Sequence, residues 1–263
     1  MDWQPGQSQR LKIGADHLEV ACWGPPPERA MTLLLLHEGL GSVSLWRDFP
    51  EALVARTGCG VLAYSRAGYG QSDPVALPRP LDYMSREAED VLPLVLKRAG
   101  LRKTVLIGHS DGASIAAIYA GLCADSALAG LVMIAPHFFT EPSGLAAIAD
   151  AARAYATTDL RRRLARHHRD PDNAFRGWCD AWRSPQFAAW NIEHVIAPIA
   201  VPVLAIQGRD DQYGTLAQID RLQARLKSPF KALILDDCHH APQVEQRQQT
   251  LAAIGEFVDS IAK

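Results

Sequence analysis

No stretch of this sequence holds enough consecutive apolar residues to cross a bilayer, which excludes a helical membrane span. The start, Met1-Asp2-Trp3-Gln4-Pro5, lacks a basic segment followed by an apolar one, so no secretory signal is expected. Neither sign of charge is in excess: 27 Lys and Arg face 29 Asp and Glu, a formal net charge of −2. That balance offers no global attraction for phosphate backbones, and neither nucleic acid nor a membrane is expected as a partner. Cysteine is scarce. The five residues Cys22, Cys59, Cys123, Cys179 and Cys238 are odd in number, scattered, and show no metal-type pairing. A disulfide framework is thereby excluded, no metal site is expected, and a reducing compartment, the cytoplasm, is the expected location. Internal repeats and low-complexity tracts are also missing.

What is present is a globular core. Of 263 residues, 48% are hydrophobic and 21% charged, enough for one large α/β domain with an insertion or for two smaller ones. Strand-like and helix-like stretches alternate, the pattern of a mostly parallel, doubly wound sheet with helices on both faces. Residues 17–23 read as an antiparallel edge strand. Residues 31–36, 61–64, 104–107, 128–134, 201–206 and 232–235 read as buried strands. Helices are expected at 45–56, 85–99, 111–122, 215–226 and 243–261. The alternation breaks once: between Pro136 and Ile199 there is no strand pattern, only sequence rich in Ala, Arg and Trp. Residues 143–190 read as a helical cap, within an insertion at 137–198 that interrupts a core made of 1–136 and 199–263.

The most informative segment is Gly108-His109-Ser110-Asp111-Gly112, preceded by the apolar run Thr104-Val105-Leu106-Ile107 and followed by helix-forming small residues. A serine placed where a strand turns sharply into a helix is forced into a strained backbone and lifted clear of the sheet. Such a turn needs glycines two residues to either side. A serine is a weak nucleophile until a base takes its proton and a third group holds the base. The acid candidates are Asp210 and Asp211 in Gln207-Gly208-Arg209-Asp210-Asp211, after a buried strand. The base candidates are His239 and His240 in Cys238-His239-His240-Ala241-Pro242, after the last strand.

Over nearly its whole length the chain resembles the α/β-hydrolase fold superfamily. The marks are Leu36-His37-Glu38-Gly39-Leu40-Gly41-Ser42, Arg66-Ala67-Gly68-Tyr69-Gly70-Gln71-Ser72, the serine turn, the G-x-x-D turn ending at Asp211, and the late His-Ala-Pro, all in order. The resemblance implies Ser110 as nucleophile, Asp211 as acid and His240 as base. It implies an oxyanion hole from the backbone N–H groups of Asp111 and Gly39, with Leu40 in reserve. Glu38 departs from the family, which usually has glycine directly after the histidine, and Asp111 stands at a position usually small and uncharged. His37 is expected to support its loop, His109 to pack away from the site, and Asp111 to be solvated or hydrogen-bonded. Glu38, Leu40, His137 and Trp182 are candidate pocket residues.

The implied activity is cofactor-independent hydrolysis of an ester, thioester or lactone of a small carboxylic acid through an acyl-enzyme. Carbon–carbon hydrolysis of a dienoate and a low-turnover receptor-like role are the implied alternatives. The cap carries eight arginines (153, 161, 162, 163, 166, 169, 176 and 183) against five aspartates. These are either a solvated helix face or a means of recruiting an anionic small-molecule substrate.

Overall fold

The computed structural model describes residues 1–123 and 125–262 of the chain. Eight strands make one sheet: β1 (Ser8–Ile13), β2 (Asp16–Trp23), β3 (Thr32–Leu36), β4 (Gly60–Tyr64), β5 (Thr104–His109), β6 (Leu128–Ile134), β7 (Val203–Gly208) and β8 (Phe230–Leu235). Their order is β1-β2-β4-β3-β5-β6-β7-β8. From β4 to β8 all neighbours are parallel, whereas β2 pairs antiparallel with both β1 and β4. The expected doubly wound sheet is therefore present, with β1 as an addition. β1 escapes sequence reading because its outer-edge residues are mostly exposed or half-buried and carry little apolar signal.

The helices are α1 (Phe49–Thr57), α2 (Tyr83–Arg86), α3 (Leu92–Ala99), α4 (Asp111–Leu122), α5 (Pro142–Thr157), α6 (Leu160–Leu164), α7 (Pro171–Trp182), α8 (Ala217–Arg225), α9 (Pro242–Glu245) and α10 (Arg247–Ala262). Alternation along the strands splits the core in two. Leu33, Leu35, Val105, Ile107 and Ile206 face Leu53 of α1 and Ile254 of α10. Leu34, Leu36, Leu106 and Met133 face Leu92 of α3, Ile115 of α4 and Leu222 of α8.

Three expected helices are broken. Residues 45–56 divide into a 3-10 turn (Val43–Trp46) and α1, whose first turn holds Pro50. A π turn (Glu87–Val91) interrupts the run ending at Ala99, directly before Leu92-Pro93, and proline there lacks the N–H that would continue the helical ladder. The last run breaks at Gln246, which leaves the helical region between α9 and α10.

Between β6 and β7 the described residues contain helices and no sheet strand, as the sequence suggests. An isolated bridge between Phe139 and Asn191 ties the two ends of this insertion together.

Candidate active site

Apart from Trp182, which α7 of the insertion supplies, every residue expected at the site follows the carboxyl end of a parallel strand, where open α/β sheets form their crevices. Glu38 and Gly39 follow β3, Ser110 follows β5, His137 follows β6, Asp211 follows β7 and His240 follows β8.

Ser110 has φ 54° and ψ −118°, a strained conformation for a residue with a side chain. Its N–H donates to Ile134 O of the next strand at 2.9 Å, which holds the turn against the sheet. The flanking glycines are sterically required. A Cβ on Gly112 would lie 2.0 Å from Leu36 O, and one on Gly108 would lie 2.3 Å from Gly112 O. Neighbouring serines are engaged elsewhere: the hydroxyl of Ser114 donates to His137 O and that of Ser65 to Glu19.

The structure distinguishes the two acid and two base candidates. Asp211 is 9% exposed, and its two oxygens lie 3.0 and 2.8 Å from His240 Nδ1. It also accepts from the Gln207 side chain at 2.8 Å and from the N–H of Tyr213 at 2.8 Å. Burial works against its charge, but the hydrogen bond and charge of His240 together hold its carboxyl below the usual range. Asp210 is exposed and has no part in this network. His239 is likewise exposed and pairs with Glu245 at 3.0 Å. Ser110 and His240 are not hydrogen-bonded to each other, a looseness common before substrate binds.

The loop after β3 is held from below. Arg66, 2% exposed, donates through Nη1 to His37 O at 2.6 Å and through Nη2 to Glu38 O at 3.1 Å. The Arg66 N–H donates to His37 Nε2 at 3.1 Å, so His37 supports its loop as expected. Gly39 packs beneath Trp178, where a Cβ would lie 2.2 Å from the indole nitrogen. His109 departs from expectation. Rather than packing away from the site, its Nε2 donates to the backbone carbonyl of His240 at 2.7 Å, and its Nδ1 lies 3.5 Å from Glu38 Oε2. Burial opposes charge on His109, yet Glu38 and that carbonyl raise its pKa above the ordinary value. Glu38 is opposed by burial too, but His109 brings it down to about 2. The acid at the family's glycine position thus has a local partner.

Asp111 is buried and hydrogen-bonded rather than solvated. Its Oδ2 accepts from the Tyr83 hydroxyl at 2.5 Å and lies 3.8 Å from Arg66 Nη2. Burial raises its pKa, against the pull of Arg66, Tyr83 and the Trp182 indole. Its Oδ1 has no hydrogen-bond partner. Leaving a buried acceptor unsatisfied costs about 1–3 kcal/mol.

Ser110, Asp111 and His240 open onto a cavity of about 560 Å³, counting its mouth. Glu38, Gly39, Leu40, His137 and Trp182 line it. Burial drives His137 down to about 3, so it is neutral there. Glu141, Ile148 and Tyr213 also line the cavity and were not legible from sequence, because no motif marks them. The Tyr213 ring centroid lies 4.7 Å from that of His240. His168 was hidden within the basic run. It is 2% exposed, accepts from Gly70 N–H at 3.0 Å and donates to Leu40 O at 2.9 Å, fastening the insertion to two core loops. The arginines around it are outside the cavity: Arg161 pairs with Asp172 at 2.6 Å, and Arg162 and Arg163 with Asp159 at 3.1 and 3.2 Å, all exposed. Among the described residues no group of His, Cys, Asp or Glu is arranged to hold a metal ion, and no helix is long and apolar enough to cross a membrane.

A family model described as alpha/beta hydrolase family matches residues 33–254. No curated protein matches the sequence significantly. Among solved structures, a 2-hydroxy-6-oxo-6-phenylhexa-2,4-dienoate hydrolase from Rhodococcus sp. strain RHA1 is similar, with TM-score 0.78 and 17% identity, covering 95% of this chain and 97% of that one. An enol-lactonase from Burkholderia xenovorans LB400 gives TM-score 0.74 and 19% identity, over 95% of this chain and 100% of that one. A thermophilic esterase from Thermogutta terrifontis gives TM-score 0.74 and 17% identity, over 98% and 100%. At such identities the likeness is one of fold.

Proposed function

Because the chain belongs to the alpha/beta hydrolase family, we propose that it is a cofactor-independent serine hydrolase that cleaves an ester, thioester or lactone of a small carboxylic acid. The observation that carries this reading is the joining of three strand ends at one cavity. Ser110 stands on a strained turn and lines the cavity together with His240, whose Nδ1 lies 2.8 Å from Asp211.

In this reading Ser110 Oγ attacks the carbonyl carbon as His240 Nε2 takes the hydroxyl proton. Asp211 accepts the Nδ1–H, fixes the tautomer and stabilises the imidazolium. The developing oxyanion meets the backbone N–H of Asp111, the first residue of α4, and that of Gly39; each such donor is worth about 2.7–4 kcal/mol. His240 then passes its proton to the leaving oxygen or sulfur, and the acyl group remains on Ser110. A water gives its proton to His240 and its oxygen to the acyl carbon. Collapse returns the proton to Ser110 and releases the acid.

The experiment is labelling with a fluorophosphonate, together with hydrolysis of p-nitrophenyl acetate. The wild type should be labelled and active, and Ser110→Ala should lose both. Labelling that persists in Ser110→Ala, or that maps to Ser65 or Ser114, overturns the assignment.

A further inference from the structure

Three carboxylates, Glu38, Asp111 and Glu141, line the cavity, and among the described residues no lysine or arginine does. Two of the three are already committed. Glu38 faces His109 at 3.5 Å. Glu141 accepts from the Thr215 N–H and hydroxyl at 2.9 and 2.7 Å and from the Gln218 amide at 2.7 Å. Asp111 is different. It is 1% exposed, and its Oδ1 is without a partner. Its Oδ2 is engaged by Tyr83 and approached by Arg66, neither of which lines the cavity, so both hold the carboxylate from behind. The Trp182 indole N–H, on the cavity side, donates to the Tyr83 hydroxyl at 3.0 Å. Oδ1 is therefore a buried carboxylate oxygen of a cavity-lining residue with no hydrogen-bond partner, left to a donor from the substrate. A buried carboxylate meets that need best with a charged N–H group.

Position narrows the ligand further. Asp111 directly follows the nucleophile, so the residue whose N–H faces the scissile carbonyl oxygen also offers a carboxylate a short distance away. We infer that Asp111 recognises an amine, and that the preferred substrate carries a protonated nitrogen within a few bonds of its scissile carbonyl, as amino-acid esters do. The ammonium donates to Oδ1. It also offsets the carboxylate's repulsion of the oxyanion, as Arg66 does from the other side. The inference rests on the hydrolase reading above for its scissile bond, but not for its binding contact.

The test compares the benzyl esters of alanine and of propanoic acid, which differ by one amino group. Binding is measured by calorimetry to Ser110→Ala at about pH 6, where an α-amino group is protonated. The alanine ester should bind at least tenfold more tightly, and the preference should vanish in Ser110→Ala/Asp111→Asn. In the wild type, kcat/KM should favour the alanine ester by a similar factor. Equal affinities, or no binding of the alanine ester, overturn the inference, and this comparison needs no change at Asp111. Equal hydrolysis of both esters with no binding preference removes the amine site and leaves the hydrolase reading standing. A binding preference without hydrolysis or fluorophosphonate labelling does the reverse.

Discussion

At the scale of single residues, the adjacent pairs Asp210/Asp211 and His239/His240 are chemically alike and separable only by environment. Asp211→Asn keeps the shape but removes the charge paired with His240, and His240→Ala removes the proposed base. Each should lower kcat/KM on the order of 10⁴-fold or more, the scale at which triad members act together. Asp210→Asn and His239→Ala, both at exposed positions, should stay within about threefold of wild type. Steady-state kinetics on p-nitrophenyl acetate checks both pairs, and an inverted ranking in either shifts the assignment by one residue. His137 gives a second prediction. Burial disfavours the cation and brings its folded pKa down to about 3, below the ordinary histidine value of 6.5. Between those values the unfolded chain binds the extra proton, so stability is full above about pH 6.5 and falls as pH drops toward 3. The loss from this group alone reaches about 4 kcal/mol near pH 3. Urea midpoints measured across that range should fall less steeply in His137→Gln than in wild type. Parallel slopes would show that His137 is protonated in the folded state.

At the scale of elements, the site depends on turns that only particular residues permit. Gly112→Ala places a methyl 2.0 Å from the backbone oxygen of Leu36, which cannot move without breaking the β3–β5 pairing. This variant should lose soluble expression or unfold well below the wild-type midpoint. Gly39 presents a milder case, since the group in the way is the side chain of Trp178. The insertion is fixed to the core through His168, whose ring spans Gly70 and Leu40. His168→Ala leaves both backbone groups without that partner and should cost about 2–4 kcal/mol, at about 1–3 kcal/mol per orphaned group less what water recovers. Thermal unfolding reads the loss, and an unchanged Tm would mean that the ring carries no load. Because Leu40 lines the cavity, the same variant should also raise KM.

At the scale of the whole molecule, the cavity lies between the carboxyl edge of the sheet and the helical insertion, with Trp178 and Trp182 contributed by α7. Arg161, Arg162 and Arg163 are exposed and pair with Asp172 and Asp159, and Arg166 is exposed as well; none of them lines the cavity. Exposed pairs of this kind contribute about 0–1 kcal/mol and are screened by salt. Arg162→Gln/Arg166→Gln should therefore leave kcat/KM unchanged, within about twofold, for neutral and carboxylate-bearing esters alike. A selective loss with the charged ester would return these arginines to the binding path.

The sequence by itself determined the doubly wound sheet apart from β1, the order of the candidate site residues and the place of the insertion. These follow from local patterns: buried strands are continuous apolar runs, and a serine between two glycines at a strand end has few backbone choices. Helix breaks were less legible, since residues 85–99 carry a helical apolar period through a π turn that only packing and Pro93 resolve. The strand β1 was illegible because an edge needs only its partner's backbone, not an apolar face. The family resemblance pointed to Asp211 and His240, but only tertiary structure gives the physical reason that these two meet, since one residue along a turn exchanges a buried position for an exposed one. Tertiary structure also decided the fate of charge. His168 reads as part of a cationic run yet is buried between two loops, while Asp111, expected to be solvated or hydrogen-bonded, is hydrogen-bonded through one oxygen and buried with the other unpaired. Sequence records which groups are charged; the distance to a partner from another strand end decides whether that charge is neutralised, shifted or left for a ligand.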